Sequence, residues 1–266
     1  MKIIVSHDVD HLYAREHYLD MILPKHIIRS KFEFLRGYIS FSEFKSRFGE
    51  LISGRLHRIN ELTEYDKAQQ IPSTFFIGVN KGLGLSYSIE DASSAINFIQ
   101  SKGFDIGIHG IAYNDPLAIA QERLKFAKIA GHEDFGIRMH YLRQSADTLK
   151  YLSEAGYLFD CSVAKFCPTY KAGNLTEFPV HIMDGWIINH GKSWQSVNTE
   201  KALDNSKRLV ESGLKEGIDY FSILFHDRYF SGCFVTWRDW YTLFIEWLKS
   251  NKFEFTSYKA ALKAME

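Results

Sequence analysis

The chain has 266 residues, enough for one large domain or two small ones, with 45% hydrophobic and 24% charged residues, ordinary values for a globular protein. Its 32 basic and 32 acidic residues cancel, which excludes the basic surplus of a nucleic-acid binder, and no apolar run reaches the roughly 20 residues of a membrane span. The three cysteines, Cys161, Cys167 and Cys233, form no C-x-x-C pair and read as reduced packing residues. Because Met1–Ser6 runs directly into His7 and Asp8, no apolar signal segment precedes them, and a cytoplasmic protein is expected.

In chain order, Lys2–Ser6 is a short run rich in β-branched residues and predicts a buried strand. Residues 11–40 are the least regular, with clustered basic and aromatic side chains, and are expected to form an insertion (11–70 at its widest) over one mouth of the fold. Phe41–Ile71 carries helical spacing through Phe44, Phe48, Leu51, Ile52, Leu56, Ile59 and Leu62. Thr74–Val79 predicts a second strand. Ile89–Lys102 predicts an amphipathic helix opened by Ser88, with Asp91 three residues on. Asp105–His109 is the third strand, and Pro116–Ala130 is a helix with Asp115 as its cap and proline at its first position. Gly136–Leu142 predicts the fourth strand and Ser145–Ala155 a helix closed by Gly156. Leu158–Cys161, Glu177–Val180 and Trp186–Asn189 read as further short strands. Thr199–Leu214 then predicts a helix, Tyr220–His226 a strand, Trp237–Leu248 a helix and Phe253–Thr256 a last strand. Strands alternating with helices of this length imply parallel βαβ units, and no Pro/Gly/Ser-rich linker divides 1–266, so one domain is expected.

Polar residues gather where these strands stop, the end at which parallel α/β folds place their chemistry. The first strand ends in His7-Asp8-Val9-Asp10-His11, the third in His109, the fourth carries Arg138 and His140, and the strand before the last long helix ends in His226-Asp227. Asp8 and Asp10 lie two apart and share a strand face, roughly 6.6–7 Å apart along the chain. One can ligate a metal while the other stays free as a base, although Asp10 could equally cap a following helix. His109 in isolation is more often a packing residue than a ligand. Arg138 is expected to need an anionic partner, for which Asp8 is a candidate. Trp194, Trp237 and Trp240 read as packing residues, and His17, His26, His57, His132, His181 and His190 show no partner in the sequence.

With these stretches in view, the chain from Lys2 to about Phe230 resembles the polysaccharide deacetylase family, the NodB-homology carbohydrate esterases. Asp8-Val9-Asp10 is similar to the family's first motif, Ser73-Thr74-Phe75-Phe76 to its second-strand signature, and Asp105-Ile106-Gly107-Ile108-His109 to the approach to its metal histidine. Gly136-Ile137-Arg138-Met139-His140-Tyr141 stands at the third motif, Met183-Asp184-Gly185-Trp186 at the fourth and Leu224-Phe225-His226-Asp227 at the last. Two positions depart from the pattern. Tyr113 stands where the family has a second metal histidine, and His140 where its third motif has proline.

The resemblance implies an α/β fold, a distorted (β/α) barrel with fewer than eight regular strands. It also implies a metal-dependent hydrolase that removes an acetyl or formyl group from the nitrogen of an amino sugar. A cytoplasmic location would make the substrate a lipid- or nucleotide-linked precursor of surface polysaccharide of the O-antigen kind. In that reading Asp10, His109 and His140 bind a divalent metal, zinc by ligand type, with His140 replacing the ligand lost at Tyr113; His11 and Tyr113 are the rival third ligands. Asp8 is the general base, Arg138 orients it, the backbone N–H of Tyr141 binds the oxyanion, and His226 protonates the leaving amine with Asp184 or Asp227 beside it. Trp186, Asp184 and Tyr113 are expected to contact the substrate. Basic Arg15, Lys25, Arg29, Lys31 and Arg36 of the insertion are either a solvated face or a phosphate contact. The rival functions are hydrolysis of small or cyclic non-sugar amides, and binding of metal or glycan by an inactive relative.

Overall fold

A computed structural model describes all residues 1–266. One ten-stranded sheet runs through the chain. Its strands are β1 (Lys2–Val9), β2 (Thr74–Ile77), β3 (Asp105–Gly110), β4 (Ile137–Met139), β5 (Phe159–Asp160), β6 (Tyr170–Ala172), β7 (Leu175–Glu177), β8 (Val180–Met183), β9 (Tyr220–Leu224) and β10 (Glu254–Thr256). Their order is β6-β7-β5-β4-β3-β2-β1-β9-β8, with β10 also paired to β1, and every pair is parallel except β6 with β7. The sheet curls into a distorted barrel, as expected, and five of its strands are four residues or longer.

Alternation along the strands divides the interior in two. Ile3, Val5, Phe75, Ile77, Ile106, Ile108, Ile137, Phe221 and Ile223 point outward and join a core of 45 buried residues beneath the helices. Ile4, Phe76, Phe159, Cys161, Phe178 and Tyr258 belong to a smaller cluster of eight on the opposite face, inside the barrel. Gly107 of β3 is required here: a Cβ would lie 2.4 Å from the Phe76 ring. Polar Ser6, Asp8 and Arg138 share that inner face, so burial of a charged row was built into the alternation of β1 and β4.

Helices α1 (Ile22–Leu35), α2 (Phe41–Ser53) and α3 (Ile59–Gln69) separate the adjacent strands β1 and β2. After β2 come α4 (Ile89–Ser101), α5 (Pro116–Ala130), α6 (Thr148–Ala155), α7 (Asp184–Asn189), α8 (Thr199–Lys215), α9 (Val235–Ser250) and α10 (Tyr258–Met265). The predicted caps form: Ser88 accepts from the Asp91 N–H, Asp115 from those of Leu117 and Ala118, and Gly156 closes α6 in the left-handed region at φ 84°. No helix is long and apolar enough to cross a membrane.

Several element expectations are corrected. Trp186–Asn189 is not a strand but most of α7. Short apolar runs of this length do not distinguish the two, and here Asp184 begins a helical turn straight after β8. The fourth strand ends at Met139, because Tyr141 (φ 59°) and Leu142 (φ 51°) take left-handed conformations that reverse the chain. The run Phe41–Ile71 is two helices, interrupted at Gly54 (φ 76°). Least expected, α1 fills much of the irregular stretch 11–40.

Candidate active site and metal centre

Four strand ends deliver polar groups to one cavity of about 880 Å³. From β1 come Asp8 and Asp10, from β3 His109, from the turn after β4 His140, and from the end of β9 His226. Asp10 Oδ1 lies 3.1 Å from His109 Nε2 and 3.4 Å from His140 Nδ1, and the two ring nitrogens are 2.9 Å apart. Asp10, His109 and His140 thus form a cluster able to hold one metal ion.

The other ring nitrogens decide how this cluster is used. His109 Nδ1 is 3.1 Å from the Arg138 carbonyl and His140 Nε2 is 3.1 Å from that of Leu83. A carbonyl only accepts, so each ring donates there. In the neutral rings the lone pairs of His109 Nε2 and His140 Nδ1 therefore face each other and a carboxylate oxygen. Three acceptors at such separations repel unless a cation stands between them. Ligands at about 2.0–2.1 Å around a tetrahedral zinc would be roughly 3.3 Å apart, close to what is found. The residues fit a metal, and the carbonyls are the tautomer-setting partners that metal-bound histidines ordinarily have. Burial raises the Asp10 carboxyl, but when no metal is bound and His109 and His140 carry the proton that faces it, their hydrogen bonds, with the charge of His226, outweigh burial and hold the carboxyl well below its ordinary range.

Asp8 is buried beside this cluster. Its Oδ1 is 3.4 Å from Arg138 Nη1, and its Oδ2 is 3.8 Å from His109 Nδ1. Arg138 is fully buried and fixed from behind: Nε donates to the Cys161 carbonyl, and Nη2 donates to the hydroxyls of Ser6 and Tyr258 at 2.9 Å each. On the opposite side His226 Nδ1 lies 2.9 Å from Asp184 Oδ1, while its Nε2 stands 3.7 Å from Asp10 Oδ2. Burial disfavours the imidazolium, yet the charge and hydrogen bond of Asp184, with Asp10 and Asp8 behind, raise the His226 pKa well above 6.5. Asp184, not Asp227, makes this contact. Asp227 accepts from the Arg58 N–H, and burial pushes it up to about 7.

Trp186 and Tyr141 stand partly exposed at the rim, the Tyr141 ring 4.2 Å from that of His140. Tyr113 is not among the cavity-lining residues; its ring lies under the Arg143 guanidinium. His7 faces the opposite side of β1, held by Asp66 and the Phe225 carbonyl. His11 lines the cavity, and burial lowers its pKa to about 3. Trp194 and Trp237, expected only to pack, also line the cavity, as do Lys25, His26 and Arg29 of α1 and Arg228. Arg15 instead pairs with Asp91, and Arg36 lies over Phe32. No periodic signal marks Trp194 or Arg228, and the Leu83 carbonyl is backbone that no motif reveals.

The curled, open (β/α) barrel is similar in fold to solved structures of polysaccharide deacetylases and of an allantoinase. Among solved structures, a protein assigned as a polysaccharide deacetylase from Mycobacterium smegmatis superposes with TM-score 0.65 at 15% identity, over 98% of this chain and 88% of that one. Puue allantoinase superposes with TM-score 0.63 at 14% identity, over 98% and 88%. A probable polysaccharide deacetylase from Pseudomonas aeruginosa PAO1 gives TM-score 0.58 at 16% identity, over 78% and 72%. No protein-family model and no curated protein sequence matches the chain, so the likeness is one of fold.

Proposed function

We propose that the protein is a metal-dependent amide hydrolase that removes a small acyl group from the nitrogen of an amino sugar. The observation that carries this is the joint presence, in one cavity, of a three-ligand cluster with its lone pairs converging, a carboxylate outside that cluster, and a histidine–aspartate pair opposite. Asp10, His109 and His140 would hold the metal, zinc by ligand type, which when bound acts as a Lewis acid toward the acyl oxygen and acidifies water. Asp8 takes the proton of the water that adds to the acyl carbon, and Arg138 holds its carboxylate in place. His226 gives its proton to the amide nitrogen as the C–N bond breaks, releasing amine and carboxylate, while Asp184 orients the ring and balances its charge. The Tyr141 N–H is assigned to the developing oxyanion and Trp186 to the acyl methyl; the sharp turn at Tyr141 presents both residue and ring to the cavity rim.

Helix α1 supplies Ile22, Lys25, Ile28 and Phe32 to one wall of the cavity. A wall there favours a terminal or single sugar unit, as in a lipid- or nucleotide-linked precursor, over a polymer threaded through the site. The fold is shared equally with an allantoinase, so small cyclic amides are the second reading. Acetate release from N-acetylated mono- and disaccharides, measured beside allantoin for the zinc-loaded and the chelator-treated protein, separates them. Turnover of allantoin alone would replace the sugar reading, and no turnover of any amide with zinc, manganese or cobalt would end the hydrolase reading.

A further inference from the structure

The helical pair α1–α2 is built inside out. Between Met21 and Ser53 the three acidic residues, Glu33, Glu43 and Glu50, are all buried. Glu33 and Glu43 pair with buried Arg47, Glu33 also with Arg29, and Glu50 with Arg58 and Arg228. The exposed charges of the same segment, Lys25, Lys31, Arg36 and Lys45, are all basic. The chain as a whole is neutral, so this is a segregation of charge and not a surplus.

The apolar residues are turned outward in the same way. Residues 21–52 hold six of the nineteen exposed large hydrophobic side chains of the molecule, among them Leu35 (70% exposed), Phe41 (60%) and Ile52 (88%). Met21, Ile28 and Leu35 recur every seven residues along α1, with Lys31 between them, and Phe41, Lys45 and Ile52 follow one side of α2. Phe34 joins the two helices through ring contacts with Phe41 at 5.7 Å and Phe44 at 5.1 Å. Grouped apolar side chains of this kind are uncommon on a protein surface without a partner.

We propose that the α1–α2 face docks on an anionic lipid surface, Leu35, Phe41 and Ile52 entering the headgroup boundary and Lys31, Arg36 and Lys45 meeting lipid phosphates. The combination of exposed aliphatic and aromatic side chains with exclusively basic charge is what such a surface selects, whereas a basic face repels its own copy. Ile28 belongs both to this face and to the cavity wall, so docking sets the cavity mouth beside the bilayer. The inference does not depend on the hydrolase reading.

Flotation of the full chain with vesicles tests it. Binding is expected to phosphatidylglycerol–phosphatidylcholine vesicles, weakened by salt, and not to pure phosphatidylcholine. Leu35→Glu/Ile52→Glu and Lys31→Glu/Lys45→Glu should each weaken it more than about tenfold, while Leu124→Glu, exposed on α5, should not change it. Absence of flotation with anionic vesicles, or flotation indifferent to both double variants, overturns the proposal. So does a dimer in sedimentation that Leu35→Glu dissociates, since a second copy would then cover the face.

Discussion

His7 within β1 and His109 near the end of β3 use their ring nitrogens in opposite ways. Both nitrogens of His7 are spent, one on Asp66 at 2.8 Å and one on the Phe225 carbonyl at 3.0 Å. His181 of β8 behaves alike, accepting from the Ser222 N–H and bonding the Cys167 carbonyl. At the cavity, His109 and His140 each spend one nitrogen on a carbonyl and keep the other for Asp10. All four rings are buried, so burial does not separate them. A ring nitrogen left over, aimed at an acid, does. A satisfied histidine supports the fold, and a half-satisfied one has a ligand still to take.

The largest expected effect breaks the cavity side of this comparison. His140→Ala and Asp10→Asn should each weaken zinc binding by more than about 100-fold and abolish turnover, with Tyr113→Phe as the neutral control. Metal titration of the purified variants reads this directly. If His140→Ala binds zinc like the wild type, His140 is a pocket residue and the cluster lacks its third ligand.

Asp8→Asn should reduce turnover about 10²–10⁴-fold while zinc content stays at the wild-type level. Metal loss with turnover retained would mean that Asp8 and Asp10 have exchanged roles.

Asp184→Asn sharpens the reading of His226. The acid must be protonated, so activity falls as pH rises through its pKa, which Asp184 helps to raise. Removing that charge lowers the pKa, and the alkaline limb of the kcat profile should move to lower pH. An unmoved limb would take the proton donor away from His226.

The smallest effect on catalysis belongs to the structural side. His7→Phe removes one of the three side-chain partners of buried Asp66, leaving Ser73 and Tyr241, and should lower stability by about 1–3 kcal/mol, seen as a lower thermal midpoint. Zinc content and kcat of the folded fraction should hold. Loss of zinc at unchanged stability would erase the distinction between the two kinds of histidine.

The strand ends were legible because a strand alternates with period two. Asp8 and Asp10 on one face of β1, with His7 on the other, follow from spacing alone, and the parallel order of strands brings their ends together. The same logic missed α1, and for α2 it gave the helix but not its buried side. Periodicity assumes that apolar residues mark the buried side, and α1 instead buries Ser30 and Glu33 and α2 buries Glu43, Arg47 and Glu50. Met21 provides no side-chain cap, and Asp20 one residue earlier accepts from the Ile22 N–H instead, a start signal displaced from the usual position.

What the residues determined by themselves was the alternation of strand and helix, the capped helices α4 and α5, and the set of acids, bases and histidines carried at the strand ends. What only the tertiary structure decided was which of those histidines keep a free nitrogen and which carboxylates are buried. Both depend on partners far away in sequence. The Leu83 carbonyl sets the His140 tautomer across 57 residues, and Arg228 reaches Glu50 across 178. A buried charge or an unspent lone pair is a balance struck at one point in space, and local sequence carries no record of what the chain brings there later.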